Sequence, residues 1–384
     1  MNLLYKFPQI QLPKFYNLIK ALFTSSSPNN LSTFWCNKED YFQWFSRSAW
    51  SIYYIILIKK KLYNKDKIII WLPDYFCNET LNYARTIEGV NFYFYRINFD
   101  MSPNFDELAI YDEVNKPDIF LFVQYFGNHF EAKKLFEFCK LNQIWIIEDA
   151  THVLIPNNHI GEYGDFVLYS PHKLLPIPDG SIMVLKKTGP SCLLYNNSFT
   201  KLLEEYLDKS IEKKFFNKNA ILWYTKRILQ IFGFKNFIKI PDFEITLQNC
   251  TPDKFHINFS NIAKNILNYE ISNLYKIIEI RAKNYVNWTI VLNKIITHVN
   301  YEIIKNNSIA YLIALKFNNK EDCISIYNFL INSGIPVTHW PDLPNEVINN
   351  QHYHSNAIQL RNTCLFLPLH MNVNFIKLES LKFD

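Results

Sequence analysis

Short, continuous apolar runs recur through the first half of the chain and limit its possible folds more than any other feature. Three of these runs are Lys67–Leu72, Asp118–Tyr125 and Ile144–Ile147. Runs of this length, bounded by polar residues, are typical of strands in a parallel sheet that helices cover on both faces. Strands and helices alternate four times, so the sequence predicts an α/β fold with right-handed crossovers.

The remaining segments predict how the chain is divided. Residues 1–40 are predicted to be irregular, and a helix is predicted from FSRSAW (45–50) to about Lys60. Residues 190–255 have helical periodicity, and we expect helices there that pack on the large domain or on a second subunit. The pattern predicts a large domain over residues 1–260 and a smaller α+β domain over residues 261–384.

The C-terminal domain is predicted to open with a long helix, straight or with a bend, from about Asn261 to Val291. The apolar runs Tyr311–Phe317 and Ile335–Trp340 predict two strands, separated by a helix from Cys323 to Ser333.

Composition excludes several classes of protein. The net charge of +5 is mild for 384 residues and the basic residues are scattered, so nucleic acid is not an expected partner. Seven cysteines without short spacings fit a reducing compartment, and no pattern of ligands predicts a metal. No apolar run reaches the ~20 residues of a membrane span, and the N-terminus lacks the pattern of a signal peptide. We expect a cytoplasmic protein, with interfacial attachment through the aromatic-rich N-terminus as the alternative.

Glycine is scarce and unevenly distributed. Only eight glycines occur, and five of them lie between residues 127 and 189: Gly127, Gly161, Gly164, Gly180 and Gly189. We therefore expect a ligand to approach the backbone closely in this region. Neither a GxGxxG loop nor a Walker loop is present, so any phosphate is expected at a helix N-terminus and on hydroxyl groups.

Chemically useful side chains cluster in the same region. Asp149 ends an apolar strand, His152 follows it, and Lys173 comes just after the predicted strand Phe166–Tyr169. The carboxyl ends of parallel strands are where ligands bind in open α/β sheets. A buried aspartate that protonates a heterocyclic nitrogen, together with a lysine that forms a Schiff base, is what pyridoxal phosphate (PLP) requires.

These segments resemble the DegT/DnrJ/StrS sugar aminotransferases, which are fold type I PLP-dependent enzymes. The matching segments are EDATH (148–152), GDFVLYSPHK (164–173) and PDG (178–180). Four others fall in the family's order and extend the resemblance over most of the chain: FSRSAW (45–50), LPDYFCNET (72–80), VQYFGN (123–128) and LPLHMNV (367–373). The chain departs from the family in the short spacing between Ser170 and Lys173, and in Ser181, where the family usually has a second glycine.

The resemblance implies a fold type I PLP-dependent transferase and a role for each matching residue. Lys173 would hold PLP, Asp149 would keep the pyridine nitrogen protonated, and His152 would bond the phenolic oxygen. The residues implied near the phosphate are Ser48, Ala49 and Ser170. Arg47 would contact the phosphate, contact a substrate carboxylate, or point elsewhere. Tyr75 or Phe76 would cover the ring, unless the matching position is Cys77.

The implied reaction is the transfer of an amino group from an amino acid to a keto sugar carried on a nucleotide. The resemblance also implies a homodimer whose sites borrow residues across the interface, with His256–Ser260 as the candidate contributor. His339, Trp340 and His370 could reach the substrate. Three alternatives stay open: a sugar dehydratase that uses His172 in place of the lysine, PLP chemistry on another acceptor, and a catalytically silent binding or assembly protein.

Overall fold

The structure is a computed structural model of the chain. It describes residues 7–104, 116–129, 133–157, 159–187, 198–209, 218–234, 243–248, 256–304, 311–378 and 381. Gly189 and parts of the predicted helical segment 190–255 lie outside these residues.

A seven-stranded sheet forms the centre of the large part of the molecule. Its strands are β1 (Tyr41–Phe45), β2 (Ile68–Pro73), β3 (Val90–Tyr95), β4 (Ile119–Val123), β5 (Trp145–Asp149), β6 (Phe166–Tyr169) and β7 (Ser181–Leu185). Their spatial order is β1-β7-β6-β5-β4-β2-β3. Strands β2 to β6 are mutually parallel, whereas β7 is antiparallel to both of its neighbours. The predicted α/β fold with a mostly parallel sheet is confirmed.

Every residue of β4, β5, β6 and β7 is buried, which explains why these strands are continuous apolar runs. A second, antiparallel sheet has the order β10-β9-β8, formed by β8 (Tyr301–Ile303), β9 (Leu312–Phe317) and β10 (Cys364–Pro368). The small sheet contributes to two hydrophobic cores: Ile313, Leu315 and Phe317 of β9 belong to one, whereas Ala314 joins the core that contains strands of the large sheet.

The α-helices of the described ranges surround these sheets. In chain order they are α1 (Phe15–Leu22), α2 (Pro28–Ser32), α3 (Ser48–Leu62), α4 (Lys133–Leu141), α5 (Pro171–Leu174), α6 (Ser198–Lys209), α7 (Lys218–Ile231), α8 (Asn261–Ile271), α9 (Leu274–Ile295), α10 (Lys320–Asn332), α11 (Asn345–Asn349) and α12 (Ser355–Thr363). None of the helices in the described ranges is long and apolar enough to cross a membrane.

Several elements differ from the sequence prediction. Residues 1–40 contain the helices α1 and α2, and strand β1 then begins at Tyr41 and pairs with β7. The predicted strand Ile335–Trp340 is wrong: only an isolated bridge between Thr338 and Phe366 forms there. Pro336 lacks the backbone N–H that a sheet ladder would need, which explains the failure.

The predicted helix from Asn261 is interrupted between α8 and α9. The side chains of Ser272 and Asn273 both bond the carbonyl of Tyr269, at 2.8 and 3.1 Å, and so compete with the helical hydrogen bonds. The first turns of α9 pack with α8 in one core, whereas Trp288 and Leu292 belong to the core of the small sheet. Helix α9 therefore joins the two parts of the molecule, and the division at residue 260 stays a prediction.

A buried lysine in α3 gives a test of this packing. Lys59 is 2% exposed, and its Nζ lies 4.3 Å from the ring centre of Trp145. Burial lowers the pKa of Lys59 from its ordinary 10.5 to about 7. Between these values the unfolded chain binds more protons than the folded chain, so this residue makes stability rise with pH.

We expect Lys59→Met to stabilise the fold by something on the order of 2–4 kcal/mol at pH 7 and below, and to lose that advantage as the pH rises to 10.5. Urea unfolding across this pH range measures the difference between variant and wild type. Lys61→Met, on the exposed side of the same helix, is the control. A constant difference at all pH values would contradict the burial of a neutral amine.

Candidate active site

A cavity of about 750 Å³ lies between the carboxyl edge of the large sheet and the segment Thr338–Pro341, which is bridged to β10 of the small sheet. It is lined by the start of α3, by the loops after β2 and β5, and by α5. Five of the predicted site residues line it: Arg47, Ser48, Ala49, His152 and Lys173.

Lys173 reaches the cavity from α5, the short helix that follows β6. Its Nζ donates a hydrogen bond to Thr151 Oγ1 at 3.1 Å. Burial lowers the pKa of Lys173, and the nearby negative charge of Asp149 opposes that shift. The amine is therefore easier to deprotonate than an exposed lysine, which is what a nucleophilic lysine requires.

Asp149 is the last residue of β5, which lies between β4 and β6 in the sheet. Its carboxylate is 5% exposed and accepts the backbone N–H of Thr151 at 2.9 Å. Asp149 does not line the open cavity, but it is close enough to Lys173 to act on that amine's pKa. The structure thus brings together the two residues on which the sequence-based hypothesis depends.

The geometry around His152 fixes the protonation of its ring. The backbone N–H of Phe126 donates to His152 Nδ1 at 3.2 Å, so Nδ1 carries no proton. Burial lowers the pKa of His152 well below its ordinary value, and the charge of Lys173 adds to this effect. A neutral imidazole of this kind carries its proton on Nε2, which makes Nε2 a hydrogen-bond donor for a group in the cavity.

Two aromatic rings hold His152 in place. Phe126 stacks on it at 5.3 Å and Tyr311 at 5.0 Å, with interplanar angles of 17° and 22°. The backbone N–H of Tyr311 also donates to the carbonyl of Phe126 at 3.0 Å. Sequence analysis missed Phe126 and Tyr311, although both lie in segments that it singled out, because their partner is distant in the chain.

Arg281 connects this aromatic stack to the lysine helix. Its guanidinium is buried and donates to the carbonyl of Tyr311 at 2.9 Å and to that of Leu174 at 3.1 Å. Burial lowers the pKa of Arg281 to about 10. Leu174 follows Lys173 directly in α5, and Tyr311 immediately precedes β9. Arg281 therefore fixes the position of α5 relative to the start of β9.

The start of α3 forms another wall of the cavity. Ser48 and Ala49 are its first residues, and no side chain caps the helix at Arg47. The Arg47 guanidinium donates to the carbonyl of Pro178 at 3.3 Å and lies near Asp179. Burial lowers the pKa of Arg47, although Asp179 and Glu79 act against the shift. A helix N-terminus beside an arginine is a suitable place for a phosphate.

Ser170, predicted near the phosphate, does not line the cavity. It is fully buried, and its hydroxyl donates to Ser181 Oγ at 3.3 Å. Ser181 in turn donates to the carbonyl of Tyr169 at 2.8 Å. Ser170 and Ser181 belong to the two positions at which the chain departs from the family pattern, and their hydroxyl groups bond each other behind α5. A glycine at position 181 has no side chain and could not form this bond.

Two glycines of the cluster, Gly161 and Gly164, approach groups of the protein itself. A Cβ on Gly164 would lie 3.1 Å from the backbone N of Glu148, and one on Gly161 would lie 2.3 Å from the hydroxyl of Tyr169. The fully buried Glu148 accepts the N–H groups of both glycines, at 3.3 and 2.8 Å. These glycines let the loop wrap around a carboxylate of the protein itself.

No aromatic residue of the segment 75–76 covers the cavity. Tyr75 is fully buried and stacks on Trp340 at 4.5 Å, Phe76 belongs to the core, and Cys77 lines the cavity instead. Among Tyr75, Phe76 and Cys77, only Cys77 therefore faces the cavity. Burial and the neighbouring Asp342 raise the pKa of the Cys77 thiol.

Of the three C-terminal residues predicted to reach a substrate, His339 and Trp340 line the cavity. His370 does not, because its Nε2 lies 3.2 Å from the carbonyl of Gln9. Burial lowers the pKa of His370 to about 4. In the part of the chain that the structure describes, no cluster of histidine, cysteine or acidic residues could hold a metal ion.

No protein-family model matches this sequence, and no curated protein matches it either. Solved structures do match. A DegT DnrJ EryC1 StrS aminotransferase from Brucella abortus shares 12% identity and a TM-score of 0.65, with 95% of this chain and 92% of that chain covered.

Two more solved structures match over almost their full length. PseC of Helicobacter pylori, an aminotransferase involved in the biosynthesis of pseudoaminic acid, shares 14% identity and a TM-score of 0.62 over 99% of this chain and 97% of that chain. GDP-4-keto-6-deoxy-D-mannose-3-dehydratase of E. coli, with bound hydrated PLP, shares 14% identity and a TM-score of 0.66, covering 98% of each chain. At this identity the likeness establishes the fold. The chain has the fold of the fold type I PLP-dependent enzymes, as its resemblance to the DegT/DnrJ/StrS sugar aminotransferases predicts.

Proposed function

We propose that this protein is a PLP-dependent aminotransferase that transfers an amino group from an amino acid to a keto sugar. The observation that carries the proposal is the position of Lys173. Its amine lies in the cavity, bonds Thr151 and is close to the buried Asp149 at the end of β5. The same pair of residues carries the resemblance to the sugar aminotransferases.

The chemistry of the donor set fits PLP. Lys173 offers an amine with a lowered pKa for the aldehyde, and Asp149 offers a buried carboxylate for the pyridine nitrogen. His152 offers an Nε2 donor for the phenolic oxygen, since Nδ1 is already occupied. Ser48 and Ala49 at the start of α3, with Arg47 beside them, would hold the phosphate.

PLP, when bound, supplies an electron sink for the carbon that carries the migrating amino group. Asp149 would keep the pyridine nitrogen protonated, because a buried carboxylate stabilises the positive charge there. The neutral amine of Lys173 would accept the proton from the carbon that loses the amino group and donate a proton to the carbon that gains it. Trp340, Tyr311 and Phe126 line the cavity with aromatic rings, which would reduce the access of water to the reacting groups.

The outer wall of the cavity suits a hydroxyl-rich acceptor. Thr80, Thr246 and Gln248 line it with side-chain donors and acceptors, and Glu79 and Glu244 add carboxylates. Hydroxyl groups of a sugar bond side chains of these types in either direction. We propose a nucleotide-linked keto sugar as the acceptor and an amino acid as the donor.

The dehydratase alternative depends on His172, which also lines the cavity. Its Nδ1 lies 2.9 Å from the carbonyl of Gly180, and this contact holds the imidazole against the turn after α5. Burial and the charge of Arg47 lower the pKa of His172. Lys173, which is coupled to Asp149, is therefore the better candidate for the proton transfer.

We further propose that the active form is a homodimer. Two hydrogen bonds hold the segment His256–Ser260. The backbone N–H of Ser46 donates to the carbonyl of Ile257 at 2.8 Å, and the backbone N–H of Ser260 donates to the carboxylate of Asp179 at 2.9 Å. This segment therefore lies beside the start of α3, where it could extend toward a second copy. Light scattering of active protein should give twice the mass of one chain; an active monomer would contradict this part of the proposal.

The direct test of the function is spectroscopic. Purified protein mixed with PLP should develop the absorption of a cofactor joined to an amine, and borohydride should fix the cofactor on the peptide that contains Lys173. A folded protein that binds no PLP at generous concentration would favour the silent alternative. Binding without a covalent adduct would favour the dehydratase.

A further inference from the structure

An apolar surface outside the active site is formed by α1, α7 and the residues that follow each helix. We call it the α1–α7 face, and its large exposed side chains are Phe15, Tyr16, Ile19, Leu22, Phe23, Leu222, Leu229, Phe232 and Phe234. Phe23 is 83% exposed, and Phe232 and Phe234 are each 64% exposed. The face is continuous, because the rings of Phe15 and Phe232 meet edge to face at 5.4 Å.

Most large apolar side chains of helix α1 are exposed, which is unusual for a surface helix. Its inner side is anchored: Leu18 and Ala21 are buried, and Asn17 donates to Glu270 at 3.0 Å. The hydroxyl of Tyr224 on α7 donates to the carbonyl of Leu18 at 3.0 Å. The outer side of α1 is thus not needed for its attachment, and large apolar side chains there indicate a partner.

The charges on this face are all positive. Lys14 and Lys20 are exposed at α1, and Lys218 and Lys226 are exposed on α7. Lys218, Leu222, Lys226 and Leu229 follow one another at helical spacing, so lysines and leucines share one side of α7. Neither helix contains an aspartate or glutamate, and Glu270 beneath α1 is buried.

We propose that the α1–α7 face binds the surface of a membrane that contains anionic lipids. Aromatic and leucine side chains that lie among lysines can enter the headgroup region, while the ammonium groups remain at the lipid phosphates. A second copy of the chain fits less well, because a two-fold interface would place four lysines against the same four lysines. The inference does not depend on the catalytic proposal.

Flotation of the full chain with vesicles tests the proposal without cofactor or substrate. The protein should float with vesicles of phosphatidylcholine containing about 30% phosphatidylglycerol, and much less with phosphatidylcholine alone. Sodium chloride at about 0.5 M should weaken the binding, because it screens the lysines.

Two variants separate the apolar and electrostatic contributions. Phe23→Ser, Phe232→Ser and Phe234→Ser together should lower the bound fraction by about tenfold or more. Lys20→Glu with Lys226→Glu should remove the preference for phosphatidylglycerol. Leu141→Ser is the matched control, since Leu141 is 84% exposed but lies on α4, outside the face.

Three results would overturn the proposal. The first is a wild-type chain that does not float with the anionic vesicles. The second is a triple serine variant that floats as well as the Leu141→Ser control. The third is sedimentation data in which the triple variant is monomeric where the wild type is dimeric, because the face would then be a contact between copies.

Discussion

Lys173→Ala should abolish both the borohydride-stable adduct and the transfer of the amino group. The amine of Lys173 lies in the cavity close to Asp149, and burial lowers its pKa, so the nucleophilic neutral form is populated at a lower pH than in an exposed lysine. Since Lys173 would both hold the cofactor and move the proton, we expect turnover to fall by roughly 10⁴-fold or more. Single-turnover measurements with PLP supplied in excess test the loss, and mass mapping tests the adduct.

His172→Ala is the matched control, because His172 neighbours Lys173 and lines the same cavity. It should keep the adduct and retain most of the transfer, with some loss because the contact to Gly180 disappears. The opposite pattern, in which His172→Ala alone stops the reaction and no adduct forms in wild type, would establish the dehydratase chemistry instead.

The pH dependence of the adduct gives a further check on the lysine. Burial lowers the pKa of Lys173, so the neutral amine should be populated at a lower pH than for an exposed lysine. The wild-type adduct should therefore form at pH values below the ordinary pKa of an exposed lysine. Asp149→Asn removes the opposing negative charge, so it should move adduct formation to still lower pH.

Strand-end logic predicted the central part of the site from sequence. Asp149 and Lys173 are predicted there because a polar residue at or after the end of a buried apolar strand lies at the carboxyl edge of the sheet. The structure places both residues there, and the strand Phe166–Tyr169 has the predicted bounds. Local pattern and overall topology agree at these positions, and that agreement made the prediction possible.

The rest of the site depends on contacts that no local pattern encodes. His152 is held by Phe126 and Tyr311, which are distant from it in the chain, and the direction of the Ser170 side chain is set by Ser181. The two glycines beside Glu148 were assigned to a ligand because sequence alone does not distinguish close approach to a ligand from close approach to a carboxylate of the protein. Strand β1 was missed because it is an edge strand whose first three residues are only partly buried.

Asp149→Asn should retain the fold and much of the bound cofactor while losing most of the turnover. A neutral amide is nearly the same size as the carboxylate and can still accept the N–H of Thr151, which now bonds Asp149 at 2.9 Å. It cannot stabilise a positive charge on the pyridine nitrogen, so the electron sink is weakened. We expect kcat to fall by about 10²-fold or more, with a shift in the absorption of the bound cofactor that reports the lost proton.

Asp118→Asn is the control for a buried carboxylate next to the same sheet. Asp118 lies at the opposite edge, immediately before β4, where it pairs with Lys65 and accepts the N–H of Ile69 at 2.9 Å. Its loss should lower the stability of the fold and leave kcat and the cofactor spectrum unchanged. If Asp149→Asn instead turned over at a near-normal rate with an unshifted spectrum, Asp149 would have no role at the pyridine nitrogen. The pyridine nitrogen would then need another acid, for which Asp179, buried at the turn after α5 and near Arg47, is a candidate.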